Sequence, residues 1–273
     1  MKRIAVAVFL TLSLVWLAQL PPQHAHGWTH GSSGGGGAYV AKAVHFDGIS
    51  WLLSAAGVTS DSSLFSFSGW FNTNGNQSAN NSWAFFDFGP AANEYTTGMG
   101  SFAPDTYIAL TTIIGNASGT NTLSATSPQD PALMPINSNW HHFFGYMDAN
   151  HSAGNKIIKI FYDGIDITFQ VSDTNAAFQM AFSSLPLAMP DTTDDFANPQ
   201  FTGDMADWWI APGVLQTNIT IFRDPVTGKP KNPSGFPPSA VLFSGDHTTF
   251  PVNQGTGGAF TLTGTLTDAS THP

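Results

Sequence analysis

After residue 38 the chain is a succession of short segments rich in aromatic and β-branched residues, each bounded by Gly, Pro, Asn, Asp or Ser. The clearest is KIIKIFYDGIDITFQV, in which two strand-like runs meet at Asp163–Gly164, the dipeptide that type I′ turns favour. Beyond the first residues no long stretch has the spacing of an amphipathic helix. Strands at this density predict an all-β fold, either a sandwich or a barrel.

The charged residues limit the partners of the chain. Eight basic and 18 acidic residues give a net charge of −10. Nucleic-acid binding needs a basic face, and the basic pair Lys229 and Lys231 lies between prolines in a predicted loop. We therefore expect no nucleic-acid partner. Cysteine is absent, which excludes disulfides and thiolate metal ligands.

Residues 1–27 have the pattern of an export signal. A short basic start precedes an uncharged apolar run at residues 4–20. An uncleaved N-terminal anchor is the alternative, because the run is slightly long for a signal and slightly short for a spanning helix. Residues 28–37 are rich in Gly and Ser and predict a flexible linker. We expect a secreted, periplasmic or cell-surface protein with no membrane span in the mature chain.

Five segments occur in the order of a known family, namely VHFDGISWLL, FSFSGWFN, NWHHFFGYMD, KIFYDGIDI and FTGDMADWWIAPGVL. In these segments the chain resembles the LamG-like jelly-roll domains of the concanavalin A-like lectin/glucanase superfamily. The resemblance covers residues 38–215 and implies a two-sheet, antiparallel jelly-roll sandwich. Residues 216–273 lie outside the pattern, and we expect this Pro- and Gly-rich C-terminal extension to pack on the sandwich.

Two adjacent histidines, His141 and His142, stand in one of these segments. On a strand, neighbouring side chains point to opposite faces, so the two imidazoles cannot easily bind one metal ion. A zinc site also needs at least three converging ligands. The resemblance matches His142 to the histidine of a Trp-x-His strand, which implies a structural role.

The glucanase mechanism of the superfamily is not expected here. It uses a Glu-x-Asp-x-x-Glu strand, whereas 17 of the 18 acids are Asp and the single glutamate, Glu94, lies in a predicted loop. Glycoside hydrolysis in general needs two facing carboxylates about 5–9 Å apart, so an unfamiliar pair of aspartates remains an alternative. No Gly-x-Ser-x-Gly nucleophile elbow is present in the sequence.

The segment PDTTDDFANPQ predicts a calcium site. Ca²⁺ takes six to eight oxygen ligands, and this loop offers Asp191, Asp194, Asp195 and Asn198. The resemblance supports the site, because LamG-like domains often hold calcium at a loop rim. The alternative is an ordinary solvated turn, since Asp and Asn favour turns for their own reasons. Calcium is the one cofactor that we expect.

Sugar binding needs an exposed aromatic ring beside polar groups. Trp208 and Trp209 are neighbours on a predicted strand, so one points inward, and we take Trp209 as the exposed one. Trp83, which follows the polar loop 72–81, is the second candidate, and Asp207, matched to an acid before the closing strand of the family, is the third. Core packing is the alternative for each tryptophan.

The expected function is non-catalytic, lectin-like binding of carbohydrate or an extracellular glycoconjugate, with calcium assisting. The alternative is a structural or adhesion protein of a cell surface or a phage-derived particle, whose sandwich packs against protein partners. The segment FPVNQGTGGAFTLTG resembles C-terminal segments of phage-associated proteins. A glycan-cleaving enzyme is the third hypothesis.

Overall fold

The computed structural model describes one unit of the chain, residues 39–273, with gaps at 56, 75–81, 89–94, 103–106, 116–121, 129, 131, 136, 153, 174–175 and 191–200. For residues 82–83, 95–102, 107–115 and 122 it describes the backbone alone. The described residues form two short 3₁₀ helices, Ile219–Ile221 and Pro233–Gly235, and sixteen β-strands. The strands are β1 (Val44–Asp47), β2 (Trp51–Ser54), β3 (Leu64–Asn72), β4 (Ser82–Phe88), β5 (Tyr95–Phe102), β6 (Tyr107–Gly115), β7 (Thr122–Thr126), β8 (His141–Asp148), β9 (Ile157–Tyr162), β10 (Ile165–Asp166), β11 (Gln170–Asp173), β12 (Leu187–Met189), β13 (Thr202–Pro212), β14 (Val241–Phe243), β15 (Phe260–Thr263) and β16 (Thr267–Asp268).

The strands make two antiparallel sheets. Sheet A has the order β10-β9-β8-β3-β13-β1-β16, and β14 pairs with the second half of β13. Sheet B has the order β11-β7-β6-β5-β4-β12-β2-β15. The protein is therefore the two-sheet antiparallel jelly-roll sandwich that the sequence predicts. Neither 3₁₀ helix, and no other helix within the described residues, is long and apolar enough to cross a bilayer.

The hairpin between β9 and β10 confirms the turn prediction. Asp163 and Gly164 have φ angles of 50° and 87°, and Ile165 pairs with Tyr162 on either side of them. Two consecutive residues at positive φ define the type I′ geometry, which Asp-Gly adopts at little steric cost. A local dipeptide therefore sets the register of this edge of sheet A.

The core lies between the sheets and is built from alternating residues. On β3, Phe65, Phe67 and Phe71 are buried in the main hydrophobic cluster. On β8, Phe143 enters the same cluster, whereas its neighbour Phe144 belongs to another cluster on the outer face of sheet A. The predicted alternation along β8 is therefore confirmed, although both of its faces are buried.

The C-terminal extension explains why the outer face of sheet A is buried. Phe222 and the residues around it cover that face and form a cluster with Phe144, Trp209 and Ala211. The extension also contributes β14 and β16 to sheet A and β15 to sheet B. Residues 216–273 are thus an integral part of both sheets as well as a cover, and no structural boundary follows residue 215.

Candidate functional site

Several strands of sheet A begin or end at the same end of the sandwich. The start of β13 pairs with the end of β1, since Thr202 faces Asp47. The end of β3 reaches the same place, where Asn72 faces Asp204. Polar side chains from separate parts of the sequence therefore meet there. We call the group of His45, Asn72, Trp140 and Asp204 the rim.

A histidine–aspartate pair lies at the centre of the rim. His45 Nδ1 lies 2.7 Å from Asp204 Oδ1, and the two residues face each other in the register of β1 and β13. The Asp204 side chain is 2% exposed, whereas that of His45 is 34% exposed. Asp204 Oδ2 is buried and has no hydrogen-bond partner in the described part of the chain, and neither does His45 Nε2. The pair therefore has spare hydrogen-bonding capacity close to solvent.

An aromatic ring completes the rim. The indole of Trp140 is partly exposed, and its Nε1–H donates to Thr271 Oγ1 over 3.0 Å. The segment before it is held to β3, because Asn72 Nδ2 donates to the Ser138 carbonyl over 3.0 Å. A sugar ring stacks its apolar face on an indole while its hydroxyls bond to polar neighbours, and the rim offers both kinds of group.

The adjacent histidines occupy opposite faces of β8, as predicted. His141 stacks on Tyr162, its Nδ1 lies 2.7 Å from Asp163 Oδ2, and its Nε2 lies 3.0 Å from Asn137 Oδ1. His142 is fully buried, and its Nε2 lies 2.8 Å from the hydroxyl of Ser68. Burial lowers the pKa of His142 to about 3, so this side chain is neutral. The described residues include no group of three potential ligands placed to hold a metal ion.

Asp207 is enclosed rather than open to a ligand. It adopts a φ of 49° at an irregularity of β13 between Ala206 and Trp209. Its carboxylate accepts from the Tyr39 hydroxyl over 2.9 Å and from the Ser244 hydroxyl over 2.6 Å. Burial raises the pKa of Asp207 to about 7. A ligand would reach this carboxylate only if Tyr39 or Ser244 moved away.

The prediction that Trp209 is exposed is wrong. Its ring is fully buried, lies 4.9 Å from that of Phe222, and its Nε1–H donates to the Pro237 carbonyl over 2.8 Å. Trp208 points into the main core, as strand alternation requires, but the extension covers the other face. Trp209 therefore packs against the extension and is not an exposed surface on which a sugar ring could stack.

The structure describes little of the other predicted site residues. The backbone of Trp83 lies in β4 opposite Met99, while its side chain is outside the described residues. Asp191, Asp194, Asp195 and Asn198 also lie outside them. The residues on either side of this acidic loop end β12 in sheet B and begin β13 in sheet A. Along the sequence, the first residue of β13, Thr202, stands two positions before Asp204.

The sequence did not point to the His45–Asp204 pair, because its members are 159 positions apart and belong to different motifs. Asp204 stands inside the quoted segment FTGDMADWW, but the family pattern drew attention to Asp207 instead. The pair could be predicted only from the strand register. Once β1 is known to pair with β13, His45 and Asp204 stand opposite each other.

No family model and no curated protein matches this sequence. Among solved structures, a proposed carbohydrate binding protein from Bacteroides ovatus is similar with a TM-score of 0.53 and 10% identity, over 86% of this chain and 62% of that one. A heptameric SAP-like pentraxin from Limulus polyphemus gives 0.47 and 10% identity, over 65% and 78%. Mouse laminin α1 domains LG4-5 give 0.40 and 14%, over 63% and 41%. The chain spans less than two thirds of the Bacteroides and laminin chains, and the likeness shows the fold alone.

Proposed function

We propose that this chain is an exported, non-catalytic binding protein that recognises a carbohydrate or glycoconjugate at the rim. The observation that carries the proposal is that the partly exposed Trp140 and the His45–Asp204 pair lie at the same end of sheet A, where His45 Nε2 has no partner among the described residues. The sandwich is also similar to that of a Bacteroides protein for which carbohydrate binding is proposed. An aromatic face with a few convergent polar groups is the usual composition of such sites.

Calcium assistance is part of the same proposal. Asp191, Asp194 and Asp195 precede β13 in the sequence. A bound Ca²⁺ would neutralise these carboxylates and would present free coordination positions to sugar hydroxyls. The support for calcium comes from the order of residues along the chain.

A glycan array tests the proposal, with the full chain applied at fixed ionic strength in the presence of calcium and then of chelator. We expect a set of bound glycans, weaker binding with chelator, and at least tenfold weaker binding for Trp140→Ala and His45→Ala. His151→Ala is the matched control, because His151 forms a similar surface pair with Asp148 elsewhere. Equal binding by all four proteins would place the ligand away from the rim.

Absence of catalysis is tested on the glycans that bind. Incubation of each with the protein should release no reducing ends, since the proposal contains no pair of facing carboxylates. Release that His45→Ala abolishes would turn the His45–Asp204 pair into a candidate acid–base group and would favour the glycan-cleaving alternative.

Protein binding is the second candidate function, and one observation favours it. At one side of the sandwich β10 is the outer strand of sheet A and β11 the outer strand of sheet B. Ile165, Phe169 and Val171 on these strands and between them are 54%, 63% and 51% exposed. Outer strands with apolar side chains are templates for pairing with another strand. This suits a structural or adhesion protein that assembles with further copies of itself.

Sedimentation over a range of protein concentrations separates the two candidates. An assembling protein should show reversible self-association that Val171→Lys and Phe169→Asp remove, while glycan binding stays the same. A chain that remains monomeric at every concentration and binds glycans would leave only the first candidate.

A further inference from the structure

A cavity of about 220 Å³ lies where the C-terminal extension meets the β9–β10 hairpin, and none of its lining residues belongs to the rim. One wall is the hairpin turn from Asp163 to Ile165, and the other is the first 3₁₀ helix with the residues after it. Most of its lining is apolar, with one cation and one carboxylate. The lining residues are Asp163, Gly164, Ile165, Ile219, Thr220, Arg223 and Pro225.

Arg223 is held in this cavity by two glycine turns. A Cβ atom at Gly164 would lie 3.2 Å from Arg223 Nη1, and one at Gly228 would lie 2.8 Å from Nη2. Both glycines have positive φ angles, of 87° and 70°, so the turns themselves also favour glycine. The guanidinium therefore lies close against bare backbone on two sides, which limits its movement.

The donors of Arg223 are not satisfied by the protein. Nε is buried without a partner, and no hydrogen bond or ion pair of the guanidinium occurs with any residue that the structure describes. The neighbouring carboxylate of Asp163 is already engaged, because Oδ2 lies 2.7 Å from His141 Nδ1 and Oδ1 accepts from the His142 N–H over 2.8 Å. A guanidinium offers five donors and no acceptor, so this one requires an acceptor from elsewhere.

The positive charges in the segment around Arg223 also favour the binding of an anion. Of the six lysines and arginines in the described residues, Lys42, Lys156 and Lys159 form ion pairs with aspartates. The three that form no ion pair there all lie between residues 223 and 231. The backbone bridge between Arg223 and Pro230 brings their segments together. On a chain of net charge −10, the cations without an ion pair among the described residues thus lie in one segment, and Arg223 is the one that lines the cavity.

We propose that this cavity binds an oxyanion group, a carboxylate, sulfate or phosphate, on a small molecule that is no larger than one sugar ring. Arg223 forms two parallel hydrogen bonds to the oxyanion, the geometry that a guanidinium favours. The apolar part of the ligand rests on Ile165, Ile219 and Pro225. The lining residues are not those of the rim, and the inference does not depend on glycan or calcium binding there.

The test uses the Nε–H resonance of Arg223 in the ¹⁵N-labelled full chain. The sequence contains only two arginines, Arg3 and Arg223, so the arginine side-chain signals are readily assigned with Arg223→Gln. The chain is titrated with sodium glucuronate, with glucose as the neutral counterpart, and with sulfate and phosphate. We expect saturable shifts of the Arg223 signal with at least one of the three anions, none with glucose, and weaker binding at higher ionic strength.

Variants show whether the guanidinium is responsible. The variants lack the Arg223 signal, so their anion binding is followed at the backbone amides of Gly164 and Thr220, which line the cavity. Arg223→Gln should weaken anion binding at least tenfold, and Arg223→Lys should also weaken it, because an ammonium lacks the planar fork. Lys42→Gln is the matched control, since it removes one positive charge that is paired with Asp246. Should Arg223→Gln fail to fold, Thr220→Trp, which fills the cavity and keeps the charge, provides the same test.

Each ligand has a separate meaning. A response to glucuronate alone identifies a carboxylated sugar, and a response to sulfate or phosphate identifies a free or ester-linked anion of that kind. The proposal is overturned if no anion gives a saturable shift, if glucose binds as well as glucuronate, or if Lys42→Gln loses binding as Arg223→Gln does.

Discussion

His142 Nε2 and the Ser68 hydroxyl lie 2.8 Å apart across the pair of strands β8 and β3, in a fully buried position. The other ring nitrogen, Nδ1, has no partner among the described residues. Trp70 covers the imidazole on one side, with ring centroids 4.8 Å apart. The strand therefore holds a neutral imidazole where a charged one would be unfavourable.

The first prediction is that the contribution of His142 to stability falls in weak acid. In the unfolded chain this side chain takes up a proton near pH 6.5, but burial lowers its pKa in the folded protein to about 3. The unfolded state thus binds more protons between these values, and its relative free energy falls as the pH falls. We expect His142 to remove about 2 kcal/mol of stability between pH 7 and pH 5. Because Asp207 contributes with the opposite sign over the same range, urea unfolding measures this loss as the change, between the two pH values, in the stability difference between the wild type and His142→Gln.

Relative to the wild type, His142→Gln should gain about 2 kcal/mol of stability as the pH falls from 7 to 5, because glutamine keeps a hydrogen-bonding group near Ser68 and does not titrate. The control His151→Gln, at an exposed histidine, should keep the pH dependence of the wild type. An unchanged pH dependence in His142→Gln would mean that His142 is accessible to protons in the folded state.

The second prediction concerns Asp207 and has the opposite sign. Burial raises the pKa of its carboxyl to about 7, whereas in the unfolded chain the group ionises near 3.8. The folded state therefore binds more protons in this window, and stability contributed by the protonated form is lost as the pH rises through 7. The full effect is on the order of 4 kcal/mol, at about 1.4 kcal/mol for each pKa unit.

Asp207→Asn removes this ionisation. Asparagine also tolerates the positive φ at this position and can bond to Tyr39 and Ser244. We expect the variant to gain stability relative to the wild type between pH 5 and pH 8, as measured by thermal unfolding. A constant difference over that range would show that Asp207 is ionised in the folded protein at pH 5.

The third prediction compares two glycines at positive φ. Gly154 has open space around its Cβ position, whereas a Cβ at Gly164 meets Arg223 Nη1 at 3.2 Å. Gly154→Val should cost about 1–2 kcal/mol of stability for the backbone strain alone. Gly164→Val should cost more, since it also displaces Arg223 and perturbs the turn of the β9–β10 hairpin. Equal losses in denaturant unfolding would show that Arg223 moves aside freely.

The fourth prediction concerns the acidic loop. Asp191, Asp194 and Asp195 place three carboxylates within five residues of a chain whose net charge is −10, so they repel each other through water and salt. Calcium that binds only the folded state raises its stability by about 2.7 kcal/mol at a hundredfold excess over Kd. We expect millimolar calcium to raise the Tm, magnesium to do so less, and the double variant Asp194→Ala/Asp195→Ala to abolish the effect. Identical melting curves with calcium and with chelator would contradict the calcium site and would favour the alternative that the acidic segment is an ordinary solvated turn.

Local chemistry accounts for what the sequence predicts well. The Asp163–Gly164 turn follows from two residues, and the two faces of β8 follow from alternation along one strand. The jelly-roll sandwich is implied by motifs that each contain their own strand. In these cases the information is confined to a few consecutive positions, so no partner strand has to be known.

The features that could not be predicted from the sequence depend on contacts between residues that are far apart along the chain. Trp209 looks exposed until Phe222 and Pro237 cover it, and a proline-rich segment has no periodicity that reveals such a cover. Arg223 acquires its environment from Gly164 on a hairpin about sixty residues earlier. His45 and Asp204 likewise become neighbours only through strand pairing. The fold could therefore be predicted from local sequence patterns, whereas the candidate sites depend on tertiary contacts.

The pairing of β1 with β16 and of β2 with β15 also determines when the protein can fold. The Ser50 hydroxyl donates to the Thr265 carbonyl across 215 positions, so these contacts close very long loops and slow folding. During synthesis, β1 and β2 each lack one lateral neighbour until residues 260–268 have been made. Over that interval a growing chain exposes strand edges that can pair with other chains.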